Sequence, residues 1–486
     1  MSHDNRKLIN TFFSFSVGTW LTILVGLVST PVITRLVSPE ELGVFSMFFL
    51  VMNVMTLAVM FGTDQSFVRF FYEEKPLNRI RLLRSSISLV MLFFIPVCLG
   101  MLFFREQISV YIFDATRPFY IILLIAAVAL NVLFKYSLMV LRMEQKGGWY
   151  STVQVLNKIS NFLFFILLIL FMTSDILPLM LAVVFGLFVA AVSGIIKERK
   201  FWFGKTDPGS GQLVNSKKDI LRYSAPLVMT NIVYWLFQSF DRIAIKEFSG
   251  FEELGIYAGA IRIVGLAVVL ETAFTTFWVP VSYERYEKNP EDKTFFTKIH
   301  RLVALFMLSV GVFSMMFRHL IVYLLGPDYR DALMILPFLM FIPVFYTISE
   351  TTVKGIAFAK KTIWHLVIAI IASVVNISGN LILVPVLGAR GAAISTGLSY
   401  ILFFILRTAF SQRYYPVDYQ LKKLSLQIFG IVVYAGLLTF SENLYLDLTG
   451  GIIMLILMYL GFKTEIRQIL TGSMNEIFRQ FKIKKS

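Results

Sequence analysis

Apolar residues fill this chain in long runs separated by short polar gaps, with only weak alternation of apolar and polar faces inside a run. A helix rising 1.5 Å per residue needs about 20 such residues to cross roughly 30 Å of hydrocarbon. The pattern predicts fourteen helices, over 8–34, 41–63, 82–104, 117–141, 151–172, 176–196, 220–246, 253–281, 297–318, 331–357, 363–385, 391–412, 424–441 and 444–462. The chain therefore reads as an all-α polytopic membrane protein. The first run, from Leu8 to about Ile33, follows Arg6 and Lys7. It is too long for the apolar core of a signal peptide and has no small-residue cleavage site, so it reads as the first spanning helix.

A phrase in the polar gaps occurs twice. Ser38-Pro39-Glu40-Glu41-Leu42-Gly43-Val44-Phe45 returns as Gly250-Phe251-Glu252-Glu253-Leu254-Gly255-Ile256-Tyr257, an offset of 212 from Glu40 to Glu252. Trp149 and Trp364 repeat at a nearly equal offset of 215, each opening an apolar run after a basic loop. Duplicated helix bundles are the usual build of secondary transporters. The repeat predicts a six-helix lobe over 1–200, a cytoplasmic linker over 201–219, a second lobe over 220–413, an extra helix pair over 424–462 and a basic cytoplasmic tail over 463–486.

Composition supports a membrane protein and limits the chemistry. The 486 residues are 57% hydrophobic and 15% charged, with a net charge of +15. With residues near helix ends counted with the adjoining loop, 34 Lys and Arg fall on the N-terminal side of the bundle, 8 on the other, and Lys135, Lys158 and Arg262 inside helices. The positive-inside rule places both termini in the cytoplasm. The excess charge is then an anchor at anionic headgroups, not a nucleic-acid surface. The loops of the opposite face are short, which counts against a polymerase or ligase working there. No H-E-x-x-H, Walker or glycine-rich phosphate motif appears, four scattered histidines make no metal site, and the lone Cys98 permits no internal disulfide. The chain is expected to move a substrate rather than react it, and to need no cofactor beyond a coupling H⁺ or Na⁺.

Ionisable groups inside spanning helices are functional candidates by default. Arg262 lies near mid-depth, and a guanidinium suits a phosphate anion; an ion pair with a carboxylate on another helix is the alternative. Lys135 and Arg142 share a helix face two turns apart, Arg142 also reading as an anchor at the cytoplasmic end. Gln154, Asn157, Lys158 and Asn161 form a polar stripe, either interhelical hydrogen bonding or a wall facing a sugar, with Lys158 suited to a phosphate. Asn231, Tyr234, Gln238 and Asp241-Arg242 form another, in which Asp241 and Arg242 are candidates for an outer gate. Ser373, Asn376 and Asn380 share one face. Glu350 and Lys354 stand in the favourable order for a local ion pair, read as structural, as is His365. Asp64 and Glu271 are the acids that remain for a coupling ion.

The run Pro31-Val32-Ile33-Thr34-Arg35-Leu36-Val37-Ser38-Pro39-Glu40-Glu41-Leu42-Gly43 resembles the opening of polysaccharide repeat-unit (oligosaccharide) flippases. These belong to the multidrug/oligosaccharidyl-lipid/polysaccharide exporter superfamily, with the multidrug and toxic-compound extruders (MATE) and the lipid II flippases. The resemblance implies a MATE-like fold of two six-helix lobes about a cationic central cavity, with a C-terminal helix pair. It implies translocation of undecaprenyl-diphosphate-linked oligosaccharide from the inner to the outer leaflet of a bacterial plasma membrane by alternating access, for surface polysaccharide or exopolysaccharide biosynthesis. Glycosyltransferases, a polymerase and a chain-length regulator are the implied partners. The family does not share fixed ligand positions, so Arg262, Lys135, Lys158, Arg142, Asn157, Asn161, Gln238 and Asn231 are chosen as substrate-binding candidates on depth and polarity. A multidrug/cation antiporter is the alternative, but its cavity would favour buried acids, and the three deepest charges here are basic. A lipid II flippase is a narrower variant.

Overall fold

The computed structural model describes residues 3–172, 176–204 and 213–470. The central part of the predicted linker, 205–212, and the tail from 471 lie outside the described residues. All regular structure among the described residues is helical, and thirteen of the fourteen predicted segments each fall mainly on one helix, the segment 331–357 being divided over three short ones. Among the described residues, eleven helices are long and apolar enough to cross a membrane, and the apolar stretch Trp20–Leu36 adds a shorter one. Two predicted pairs are joined into single kinked helices, described below.

The chain separates into two compact units. The first comprises Met1–Lys246 and Gly250–Ala258. It contains α1 (His3–Leu36), α2 (Pro39–Met60), α3 (Thr63–Phe70), α4 (Arg79–Phe103), α5 (Arg105–Phe113), α6 (Pro118–Met143), α7 (Gly147–Phe171), α8 (Leu177–Lys197), α9 (Arg199–Phe203) and the first arm of α10 (Lys217–Lys288). That arm opens the second copy in sequence yet packs in the first unit. Ser66 Oγ donates to the Ile220 carbonyl at 3.0 Å, and the buried Glu74 carboxylate accepts the backbone N–H groups of Val214 and Asn215.

A straight 72-residue helix would be about 108 Å long, several times the bilayer core. Helix α10 turns instead at Gly250, whose φ of 87° favours a residue without a Cβ. The arms fold back, and the Tyr257 hydroxyl donates to Asp241 sixteen residues earlier.

The repeated phrase explains this corner. Its first copy starts α2 with a capping box, in which the Glu41 N–H donates to Ser38 Oγ and the Ser38 N–H to the Glu41 carboxylate, and Pro39 occupies the first turn. The second copy starts the second arm of α10. The two copies touch. A Cβ added to Gly43 would lie 1.9 Å from the Phe251 carbonyl oxygen, and one added to Gly255 would lie 1.7 Å from that of Pro39. The contact is reciprocal, the sixth residue of each copy lying on the second residue of the other. Only glycine allows backbones so close, as in small-residue packing of membrane helices.

The second unit comprises Glu247–Ser249 and Gly259–Ser486. It contains the rest of α10, α11 (Lys293–Met316), α12 (Arg318–Val322), α13 (Ala332–Leu339), α14 (Phe341–Thr352), α15 (Lys354–Phe358), α16 (Ile363–Gln412), α17 (Leu421–Thr439), α18 (Leu444–Gly461) and α19 (Lys463–Leu470). Helix α16 turns at Gly388, φ 57°, and the Ser395 hydroxyl donates to the Asn376 carbonyl nineteen residues earlier at 2.9 Å.

The C-terminal pair, α17 and α18, is pinned at both ends by arginines. Arg318, fully buried, uses all five of its N–H donors. Two meet the two Asp447 oxygens at 2.9 Å, and three meet the carbonyls of Leu333, Leu438 and Ser441. His319 Nδ1 lies 2.8 Å from the same carboxylate. Arg301 grips Glu465 and the Gly461 carbonyl. The pair is thus part of the second unit's frame. Removing one partner of a buried ion pair costs about 3–5 kcal/mol, whereas replacing both by apolar residues is often nearly neutral. Asp447→Leu alone should therefore lower the thermal unfolding midpoint of the detergent-purified protein, and the double variant Arg318→Met/Asp447→Leu should recover most of the loss.

Candidate functional site

Helix α7 presents Gln154, Asn157, Lys158 and Asn161 at three- and four-residue spacing. Glycines bring its neighbours close. The Gly18 N–H donates to Ser151 Oγ at 3.0 Å, and a Cβ on Gly186 of α8 would lie 3.0 Å from both the Asn157 carbonyl oxygen and Asn161 Cβ. Beside this face lies a cavity of about 330 Å³, to which α2 contributes Phe49 and Asn53 and α6 contributes Asn131 and Phe134. Among the described residues, no Asp or Glu lines it.

The polar groups of this wall differ in how they are satisfied. Asn53 Nδ2 donates to the Phe49 carbonyl at 2.7 Å, and Asn131 Nδ2 to Thr56 Oγ1 at 3.1 Å. Asn157 and Asn161 make no side-chain hydrogen bond to any described residue, and Gln154 Oε1 is buried without a partner. The amide nitrogens of the α16 asparagines are satisfied: Asn376 Nδ2 donates to Thr396 Oγ1 at 3.1 Å, and Asn380 Nδ2 to the Asn376 carbonyl at 2.9 Å, leaving only Asn380 Oδ1 without a partner among the described residues. The α16 amides tie a hairpin together; those of α7 face open space.

The other first-unit candidates lie apart from this wall. Lys135 is half-buried on α6, one position from the cavity-lining Phe134, and its charge acts on Asp64 in the first turn of α3. A predicted substrate cation and a predicted coupling acid are thereby brought together, without closing to an ion pair. Arg142 is exposed in the last turn of α6. On the first arm of α10, Asn231 is half-buried, Gln238 is exposed, and neither is hydrogen-bonded to a described residue. Asp241 is buried in the hairpin with Tyr257, and Arg242 makes no ion pair to another helix among the described residues.

Arg262 lies in the second unit, half-buried on the second arm of α10. No described carboxylate pairs with it, and its electrostatic neighbour is the Tyr329 phenol. The expected alternative, an ion pair with an acid on another helix, is absent among the described residues. A larger charge cluster lies elsewhere in the same unit. Glu350 accepts from Lys354 Nζ at 3.0 Å and Arg407 Nη2 at 2.6 Å, while Arg407 Nη1 donates to Ser349 Oγ at 2.6 Å. Glu271 and His365 act on this cluster electrostatically. The Glu350–Lys354 pair is the expected one. Arg407 is absent from the sequence candidates, because a cation five residues from a helix end reads as a headgroup anchor. Its signal is that the neighbouring helix carries an acid at matching depth.

Residues 8–286 match the family described as polysaccharide biosynthesis protein. The chain belongs to that family. Over 204 residues it is 26% identical to an uncharacterized membrane protein of Methanocaldococcus jannaschii, covering 40% of this chain and 45% of that protein. The matched stretch is thus less than half the length of that relative. An inward-closed structure of the lipid II flippase MurJ superposes with a TM-score of 0.67 at 20% identity, covering 94% of this chain and 99% of that one. An inward-facing multidrug-resistance MATE transporter of the MOP superfamily gives 0.60 at 18% identity, covering 83% and 97%. The fold of this polysaccharide biosynthesis family member is therefore the MurJ and MATE fold, and the chain is a multi-pass membrane protein.

The difference between satisfied and unsatisfied amides can be tested. A buried amide with a partner stabilises, and one without costs free energy. Asn376→Leu should lower the thermal unfolding midpoint of the purified protein. Asn157→Leu should leave it unchanged or raise it. A loss of similar size in both would make Asn157 a structural residue.

Proposed function

We propose that this protein is a flippase carrying undecaprenyl-diphosphate-linked oligosaccharide repeat units from the inner to the outer leaflet of a bacterial plasma membrane, by alternating access. Family membership supports a place in polysaccharide biosynthesis. The observation that carries the rest is Arg262, a guanidinium on an apolar helix with no carboxylate partner among the described residues. A charge so placed is costly unless an anion or water meets it, and its fork matches the oxygens of a diphosphate. The carboxamides of α7 suit the glycan, and the apolar exterior suits the polyprenyl tail. A coupling H⁺ or Na⁺ at Asp64 or Glu271 belongs to the same reading, as do both termini in the cytoplasm. Glycosyltransferases, a polymerase and a chain-length regulator would be the partners. No chemical step is assigned to the protein, which is read as a transporter and not an enzyme.

The competing reading is a multidrug/cation antiporter. Lipophilic cations are best met by acids, and the α7 cavity has none in its lining. A lipid II flippase stays the narrower variant, favoured by fold likeness and disfavoured by the family match.

A deletion strain should lose a surface polysaccharide and accumulate its lipid-linked repeat unit on the cytoplasmic side. Complementation with Arg262→Ala should fail although the protein inserts, and Arg262→Lys should restore export in part. Normal surface glycan together with drug hypersensitivity would sink the flippase reading. Topology can be read separately. With native Cys98 replaced, single cysteines at Glu41 and Glu253 should label from outside with an impermeant maleimide. One at Gly209, which lies outside the described residues, should label only after permeabilisation. The reverse pattern would overturn the charge-based orientation.

A further inference from the structure

We propose that the α7 cavity of the first unit is a monosaccharide subsite, in which one sugar ring of the carried glycan is read by carboxamides. The proposal rests on the flippase reading and adds to it a place and a ligand class that Arg262, in the other unit, does not provide.

Three observations carry it. The first is the lining. Drug-sized ligand sites are mostly apolar with a few polar groups. This cavity gathers Asn53, Asn131, Gln154, Asn157 and Asn161, five carboxamides, with Lys158 and no acid. A carboxamide offers two donors and an acceptor on one rigid plane. Sugar hydroxyls, each both donor and acceptor, are the natural complement of such a set.

The second is the unused hydrogen-bonding capacity. Asn157, Asn161 and Gln154 Oε1 have polar atoms without partners among the described residues, on a helix that otherwise reads as membrane-spanning. Polar groups at membrane depth are satisfied by neighbouring helices, by water or by ligand. In the α16 hairpin, by contrast, the amide nitrogens of Asn376 and Asn380 both find acceptors inside the fold, and only Asn380 Oδ1 stays without a partner among the described residues. The α7 amides are therefore held open.

The third is size and shape. A volume of about 330 Å³ sits at the low end of the roughly 300–1,000 Å³ of ligand sites, enough for one ring and too small for an oligosaccharide. Phe49 and Phe134 supply apolar ring surface in the same wall, which suits the aliphatic face of a pyranose. The tight Gly186 contact holds α8 against the Asn157–Asn161 turn, so the amides sit on rigid elements.

The test uses the full-length protein in nanodiscs and saturation-transfer NMR with a panel of methyl glycosides: hexosides, an N-acetylhexosaminide and a hexuronoside. At least one should bind with a millimolar constant, should weaken at least tenfold in Asn157→Leu, and should bind within about threefold of wild type in Asn157→Gln. Asn161→Leu, one turn along, carries the same expectation, so the test does not depend on one variant folding. Arg262→Ala should leave glycoside binding unchanged. No binding across the panel, or binding indifferent to both leucine variants, would overturn the subsite. So would displacement of the glycoside by inorganic phosphate, which would mark an anion site, or by tetraphenylphosphonium, which would mark a drug pocket. If Arg262→Ala stops export while the panel fails, the subsite falls and the flippase reading stands. If the deletion strain keeps its surface glycan, the flippase reading falls, and glycoside binding is still measured on its own.

Discussion

In the hydrocarbon of a bilayer no bulk water completes the hydrogen bonds of an amide or screens a charge, so each such group needs a partner within the protein, a watery cavity or a cargo. Most of this molecule obeys that constraint internally. Arg318 uses five donors on Asp447 and three carbonyls, Glu350 answers Lys354 and Arg407, Asn380 Nδ2 donates to the Asn376 carbonyl, and Asn376 is tied to Ser395 and Thr396. Against that background Arg262, Asn157 and Asn161 stand out as candidates for function. They are polar groups that the fold keeps within helices and leaves unanswered by the described residues.

A second constraint is backbone proximity. Gly43 and Gly255 set the two copies of the repeated phrase on each other, and Gly250 turns the long helix so that the second copy reaches the first. The duplication is thus a contact as well as a pattern. The chemistry is not duplicated with the scaffold. Carried across by the repeat offsets, Arg262 corresponds to Leu50, Lys158 to Ser373 and Lys135 to Glu350. Leu50 is a buried core residue, Ser373 donates to its own helix, and Glu350 sits inside the ion cluster. Equivalent places in the two copies thus carry different residues with different chemistry. A single asymmetric cargo would need no more.

The helices were legible because hydrophobic run length is a local property, and lipid demands it of every span. The repeat was legible because glycine and acidic capping residues mark helix starts. Depth in the sequence singled out Arg262 as an unusual charge, and spacing put Asn157, Lys158 and Asn161 on one face. Arg407 escaped, since its distance from the helix end fits an anchor as well as a buried partner. The nearness of Lys135 to Asp64 also escaped, because the two lie on helices distant in sequence.

What the sequence by itself determined is the solvent of this protein, its helices, its doubled plan and the short roll of polar residues inside the apolar spans. Only the tertiary structure decided which of those residues are answered. Asn157 and Asn376 are the same residue type in equally apolar helices, and nothing local distinguishes them. Their difference lies in the neighbouring helix: α16 brings Thr396 within hydrogen-bonding distance of Asn376, whereas no described side chain meets Asn157, whose stripe borders a cavity. Hydrogen bonds are made over about 3 Å, and helix packing, not composition, sets distances on that scale.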